Sequence, residues 1–301
     1  MVEAVDTVET VSDLVLWAEK NLKENTIDGA EKEAVFLVSS LLKIKPSGLA
    51  ASSKKKISST ELSVLKQWID RRIGREPLQY ILGEAEFWGL TFKVGPDVLI
   101  PRPETEHLVS EGIKILKGRP APLILDLCTG SGCVAVSFAR EFPGARVFAA
   151  DISAPALAVA RENAVINGVE ERIRFFKGNL FGALAALSPE GFDLIASNPP
   201  YVKSSEVKKL EPEISLYEPV TSLDGGEEGL DFITKIINEA PSYLKPDGVL
   251  LVEIGYGQSD AVRSIAGGIE GFKGFEIIRD YSGIERVFKA GTRPRLRMGS
   301  Q

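Results

Sequence analysis

The apolar run Leu123-Ile124-Leu125-Asp126-Leu127 passes without a break into Cys128-Thr129-Gly130-Ser131-Gly132-Cys133, and then into Val134-Ala135-Val136-Ser137-Phe138-Ala139. A short apolar run, a glycine loop and a helix-like segment in succession read as strand, tight turn and helix. Such a unit aims the backbone N–H groups of the loop and first helical turn at a ligand. The next apolar segment, Ala145 to Ala150, ends on Asp151. A carboxylate at that strand end is placed to accept from the two hydroxyls of an adenosine ribose. Strands and helices then alternate to about residue 290, which predicts an α/β fold with a mostly parallel, Rossmann-like sheet and helices on both faces.

The loop admits more than one cofactor. Gly130-Ser131-Gly132-Cys133-Val134-Ala135 also satisfies the dinucleotide fingerprint G-x-G-x-x-G/A. Charge separates the candidates, because Asp126 would repel a pyrophosphate but suits the amino group and sulfonium of S-adenosylmethionine. The structural alternative for Asp126 is a carboxylate that braces the loop. Further on, Gly178-Asn179-Leu180-Phe181 follows the strand-like Arg172 to Phe176. Asn179 is a candidate acceptor for an adenine amino group and Leu180 a candidate cover for the ring, against the alternative of an ordinary turn Asn and a core Leu.

A second constellation closes the apolar run Phe192 to Ser197: Asn198-Pro199-Pro200-Tyr201. Asn198 offers a carboxamide oxygen, and Pro199 a carbonyl with no N–H of its own. Two neutral acceptors can each take one hydrogen of a planar NH2 group, fixing its plane and pointing its nitrogen at an electrophile. Tyr201 is the candidate cover for the flat face of that group. Each X-Pro step holds the preceding residue extended, so Asn198 and Pro199 are rigid before a substrate arrives. Asn198, Pro199 and Tyr201 are therefore the candidate catalytic residues, and Pro200 joins them on the substrate side. Asn198 is also counted with Asp126, Cys128, Thr129, Gly130, Ser131, Gly132, Asp151, Asn179 and Leu180 on the cofactor side.

The chain resembles the peptide chain release factor glutamine methyltransferases over nearly its whole length. The resemblance rests on Arg75-Glu76-Pro77-Leu78-Gln79-Tyr80-Ile81-Leu82-Gly83, Glu86-Phe87-Trp88-Gly89-Leu90, Ile100-Pro101-Arg102-Pro103-Glu104-Thr105-Glu106, the Asp126 loop, Asn198-Pro199-Pro200-Tyr201, and Leu223-Asp224-Gly225-Gly226-Glu227-Glu228-Gly229-Leu230. It implies a class I methyltransferase domain that uses S-adenosylmethionine, leaves S-adenosylhomocysteine, and methylates the N5 nitrogen of a glutamine in bacterial release factors, modulating translation termination. It also implies a monomer that meets a larger protein partner. Two positions depart from the family pattern: Cys128 stands where a glycine is often seen, and Asn179 where an Asp is common.

Ahead of the α/β part, Val11, Leu14, Val15 and Ala18, then Ala34, Leu37, Val38, Leu41 and Leu42, fall at helical spacing. Ser58-Ser59-Thr60-Glu61 reads as a capping box opening a helix with Leu62, Leu65, Trp68 and Ile69 inward. Residues 1–84 are thus expected to form a small helical domain, read with the resemblance as the substrate-recognition domain. Residues 85–103 are expected to form a β-hairpin linker broken at Gly89 and Gly95-Pro96, and residues 104–290 the methyltransferase domain. Residues 291–301, polar and basic, are expected to fray. The roles of Arg102, Glu104, Glu106 and Glu253 stay open between site and scaffold.

Composition narrows the setting. With 301 residues, 44% hydrophobic and 26% charged, the chain can build two domains with a core each. The acidic start Met1-Val2-Glu3-Ala4-Val5-Asp6 lacks a signal-peptide pattern and no apolar run is long enough for a bilayer, so a cytoplasmic protein is expected. Cys128 and Cys133 lack the partners of a metal or redox cluster and read as packing residues; no metal is expected. The lone His107 reads as a surface or helix-start residue. Lys54-Lys55-Lys56 reads as a solvated loop. A DNA adenine-N6 or cytosine-N4 amino-methyltransferase would present the same kind of NH2 after base flipping. A net charge of −6 argues against binding duplex DNA directly. A cofactor-sensing binding module is a third reading.

Overall fold

A computed structural model describes residues 8–185 and 191–292. Met1–Gly83 with Glu211–Tyr217 and Glu84–Leu210 with Glu218–Gln301 are the two compact units, to the extent that their residues are described.

The first unit is helical, as its spacing predicts: α1 (Val11–Glu24), α2 (Ala30–Leu42), α3 (Ser59–Ile73) and the short α4 (Leu78–Leu82). Thr10 and Asp13 close a capping box on α1, and Ser58 and Glu61 close the expected one on α3. Their inward faces make one core, in which Leu14, Leu22, Leu37, Val38, Leu65 and Ile69 are fully buried. The segment Glu211–Tyr217 completes this unit through a charge cluster. Buried Arg72 donates to Glu33 Oε2 at 2.7 Å and to Glu213 Oε1 at 2.9 Å, and Arg75 reaches Glu213 Oε1 at 3.3 Å. Tyr217 Oη donates to Gly74 O at 2.6 Å.

The second unit opens with a hairpin of β1 (Glu84–Phe87) and β2 (Leu90–Lys93), paired antiparallel from Glu84↔Lys93 to Phe87↔Leu90. Only Trp88 and Gly89 remain for its loop, and both take positive φ, +54° and +67°. That is the geometry a two-residue hairpin loop demands. Glu106 holds the turn by accepting from Trp88 N at 2.7 Å.

Then α5 (Glu106–Leu116), β3 (Leu123–Leu127), α6 (Cys133–Glu141), β4 (Arg146–Asp151), α7 (Ala154–Ile166), β5 (Ile173–Lys177) and β6 (Phe192–Ser197) alternate. After the single-turn helices α8 (Ser204–Val207) and α9 (Pro212–Ser215, in the first unit) come α10 (Asp231–Tyr243), β7 (Leu244–Glu253), α11 (Ser259–Gly267), β8 (Phe272–Arg279) and β9 (Glu285–Thr292). The sheet order is β5-β4-β3-β6-β7-β9-β8, with the first five strands parallel and β9 and β8 antiparallel at the end. Alternate strand residues feed two separate cores. Leu125, Phe148, Ile195 and Leu250 pack with Ile233 and Ile237 of α10, while Ile124, Val147, Leu194 and Leu251 pack with Leu108 of α5 and Val136 of α6. Both faces are therefore covered, which is what near-continuous apolar parallel strands require. Gly291 and Thr292, expected to fray, are instead the last rungs of β9, where Thr292 Oγ1 donates to Lys245 O at 2.7 Å. The rest of the expected tail lies outside the described residues.

Register places the chemistry. Leu127 pairs with Ala150 on one side and Ser197 on the other, and Ser197 pairs with Val252. The residues that follow, Cys128, Asp151, Asn198 and Glu253, thus share the carboxyl edge of the sheet, at the point between β3 and β6 where the winding direction reverses. Ligands bind in the crevice at such a point.

Candidate active site

A cavity of about 350 Å³ opens at this edge, within the size range of ligand pockets. Of the residues singled out from the sequence, Asp126, Cys128, Thr129, Gly130, Ser131, Asp151, Asn179, Leu180, Asn198 and Pro200 line it; Gly132, Pro199 and Tyr201 are not among its lining residues.

Asp126 is 1% exposed, and its Oδ2 accepts from the Thr129 hydroxyl at 2.6 Å and from Ala135 N at 3.2 Å. It therefore braces the loop, as the structural alternative has it, and also lines the cavity. Burial pushes its carboxyl up to about 7, against the pull of Thr129 and the Ala135 N–H. Asp151 accepts from Gly130 N at 2.9 Å and from Ser153 N at 2.8 Å. Burial raises this carboxyl as well. Gly130 has φ +53° and no atom within 4 Å of where a Cβ would stand, so its backbone is open to a ligand. Gly132 uses its freedom differently: at φ +81° a Cβ would lie 3.0 Å from Ala160 Cβ of α7, so this glycine serves helix packing. Asn163, fully buried on α7, ties the loop to the hairpin by accepting from Lys93 N at 2.6 Å and donating to Ser131 O at 2.8 Å.

On the other side of the crevice Asn198 Nδ2 donates to Thr105 Oγ1 at 2.9 Å. Thr105 Oγ1 donates to Glu253 Oε2 at 2.7 Å, and Tyr201 Oη donates to Glu253 Oε1 at 3.2 Å. The Tyr201 hydroxyl is thus turned to Glu253, and burial raises it above the ordinary phenol range. Gln258 holds the tetrapeptide from behind, its Nε2 donating to Tyr201 O and to Gly229 O, each at 3.0 Å. The glycine-rich stretch packs on the same backbone, since a Cβ on Gly225 would meet Tyr201 Cα at 2.7 Å. Arg102 lines the cavity and pairs with buried Glu218 at 2.6 Å. Sequence reasoning left Glu253 uncommitted and missed Thr105, Asn163 and Gln258. A lone acid ending the apolar run Val249 to Val252 was a usable sign for Glu253; a single Asn within helix α7 and a Gln in the turn ahead of α11 give none.

Residues 13–83 match the family model of the PrmC N-terminal domain, and residues 111–213 that of the Methyltransferase small domain. A release factor glutamine methyltransferase of Geobacter sulfurreducens is 40% identical over 278 residues, covering 92% of this chain and 95% of that protein. This chain belongs to the release factor glutamine methyltransferase family. Another member, from Thermodesulfovibrio yellowstonii, is 42% identical over 258 residues, or 85% of this chain and 90% of that one. Among solved structures, a methyltransferase from Pyrococcus furiosus shares the fold, with a TM-score of 0.51 at 19% identity over 69% of this chain and 91% of that chain.

Cys128 adopts a backbone conformation unusual for its residue type. It sits at φ +59°, a conformation that costs an L-residue roughly 1–2 kcal/mol and glycine almost nothing. Its side chain lines the cavity, and burial pushes the thiol above its ordinary range. Burial likewise pushes Cys133 up to about 12, so neither cysteine is primed as a nucleophile. Among the described residues no group of His, Cys, Asp and Glu could hold a metal ion, and no helix is long and apolar enough to cross a membrane.

Proposed function

We propose that this family member transfers a methyl group from S-adenosylmethionine to the side-chain amide nitrogen of a glutamine in a peptide chain release factor. The observation that carries the reading is the Asn198 carboxamide, whose nitrogen is committed to Thr105 and whose oxygen is left to accept from a substrate NH2 beside the cavity. Residues of this cavity fit the cofactor. Buried Asp126 suits its cationic amino-acid end, Asp151 its ribose diol, open Gly130 a close backbone approach, and Leu180 with Phe232 its flat apolar base. When bound, that cofactor supplies an electrophilic methyl on a sulfonium. Asn198 Oδ1 and the Pro199 carbonyl orient the amide nitrogen and stabilise the positive charge it gains, which a delocalised amide lone pair needs. The helical unit serves to recognise the protein substrate, and the chain acts as a cytoplasmic monomer; the resemblance supports both, and the acidic net charge speaks only against duplex DNA as the substrate.

Transfer of a labelled methyl group from S-adenosylmethionine to purified release factor tests the reading, run beside a release factor whose candidate glutamine is replaced and beside duplex DNA. Label on the intact release factor alone is expected. Label on DNA, or none despite cofactor binding, overturns it.

A pH dependence of cofactor binding accompanies this reading. A cationic ligand next to Asp126 favours its ionised form, so binding below about pH 7 must expel the proton the empty site holds. The cofactor Kd should weaken as pH falls through 7, approaching tenfold per unit, with a proton released on binding. Titration calorimetry in buffers of different ionisation enthalpy measures both. In Asp126→Asn the affinity should be lower and this pH slope absent.

A further inference from the structure

Asn198 can offer an acceptor to a substrate only if its amide is held one way round, because its two ends have nearly the same shape and opposite hydrogen-bonding sense. The side chains around it determine which way. Thr105 is 2% exposed and Glu253 1% exposed, so water does not scramble their bonds. An ionised carboxylate only accepts, hence the single hydroxyl proton of Thr105 goes to Glu253 Oε2 at 2.7 Å. The Thr105 oxygen then has only lone pairs for Asn198, and only the NH2 end of the amide can donate to them, as it does at 2.9 Å. Tyr201 Oη donates to the other carboxylate oxygen at 3.2 Å, so both oxygens of the acid are engaged.

We propose that Thr105 and Glu253 are positioning residues that lock the Asn198 amide with its oxygen toward the substrate nitrogen. The proposal rests on the reading of Asn198 as the acceptor for that nitrogen. Protonating Glu253 reverses the chain of bonds: the acid can then donate to Thr105, whose own proton is released toward Asn198 and draws the amide oxygen to it. The NH2 end of Asn198 would face the substrate NH2, donor against donor. Besides Tyr201 and Thr105, the groups that interact with Glu253 are Arg286, which favours its charge, Glu104, which opposes it, and the Cys133 thiol, which Glu253 helps to keep protonated; burial outweighs them and pushes the Glu253 carboxyl up to about 7. Turnover at saturating cofactor should therefore rise as pH passes upward through 7, with ionised Glu253 as the active form. Saturation with cofactor separates this limb from the titration of Asp126, which acts on cofactor affinity.

The test uses the full chain with S-adenosylmethionine and purified release factor, measuring kcat, KM for the release factor, cofactor Kd and the pH profile of kcat. Thr105→Val, which keeps shape and removes the hydroxyl, should lower kcat about 10- to 100-fold while KM and Kd stay within about threefold. Thr105→Ser should restore kcat to within about threefold of the parent. In Thr105→Val and in Glu253→Gln the limb near pH 7 should vanish. Thr105→Val turning over like the parent, Thr105→Ser as impaired as Thr105→Val, or a limb surviving in Glu253→Gln would each overturn the positioning role and leave the substrate reading standing. A parent chain that binds cofactor but labels no release-factor glutamine overturns the substrate reading, and the positioning role with it.

Discussion

Asn198→Ala should lower kcat for release-factor methylation by about 10²–10³-fold, the cost of removing one preorganised group that meets charge developing in the transition state. Cofactor Kd should stay within about threefold, because the bonds that shape the cofactor end run through Asp126, Thr129, Gly130 and Asp151 and not through Asn198. Asn198→Asp should not rescue turnover. It keeps an acceptor oxygen but has no hydrogen to give Thr105, whose own proton is already committed to Glu253. Single-turnover measurements at saturating cofactor, with Kd by calorimetry, separate the two effects. Equal losses in turnover and cofactor affinity would remove Asn198 from the acceptor role and make it a cofactor residue.

The reason so much of this site could be read in advance is that it is built mainly from local pattern. A strand that carries Asp126, ends on Leu127 and turns through Gly130 and Gly132 is specified within about ten residues by apolar periodicity and by the positions that need positive φ. The same holds for Asn198-Pro199-Pro200-Tyr201, whose stiffness is a property of consecutive X-Pro bonds. What escaped is what only the fold brings together. Thr105 lies 93 residues from Asn198 and 148 from Glu253 in the chain, and no periodicity links three positions on separate elements. Cys128 illustrates a different limit: counted both as a packing residue and on the cofactor side, it packs against the core and lines the cavity, but nothing in its residue type announces the glycine-like φ of +59° it adopts. Glu211–Tyr217 marks a third. It follows the methyltransferase motif in sequence yet is stitched into the helical unit by Arg72 and Arg75, an attachment carried by ion pairs with residues some 140 positions earlier. Helix and strand signals are local; loop-to-core attachments of this kind are set by tertiary contacts alone.

The glycine-rich stretch after the tetrapeptide yields the second large effect, and two glycines of the same hand separate its causes. Gly229 has φ +73° and Gly257 φ +78°, so alanine at either costs the left-handed conformation, about 1–2 kcal/mol. Their surroundings differ. At Gly257 nothing lies within 4 Å of the added Cβ, whereas at Gly229 it would stand 2.3 Å from the Tyr201 carbonyl oxygen and 2.9 Å from Gln258 Nε2. Neither neighbour can yield freely, because Gln258 Nε2 is bonded to both the Tyr201 and the Gly229 carbonyls. Gly229→Ala should therefore add an overpacking cost of about 1–3 kcal/mol to the conformational one. The displaced backbone is that of Tyr201, three residues from Asn198, so a shift approaching 1 Å there should also cost about 10²-fold in kcat. Gly257→Ala should lose only the conformational part of its stability and keep its turnover. Urea unfolding and kcat measured on the two variants side by side give the comparison, and equal losses of turnover in both would show that the tetrapeptide does not depend on this glycine-rich brace.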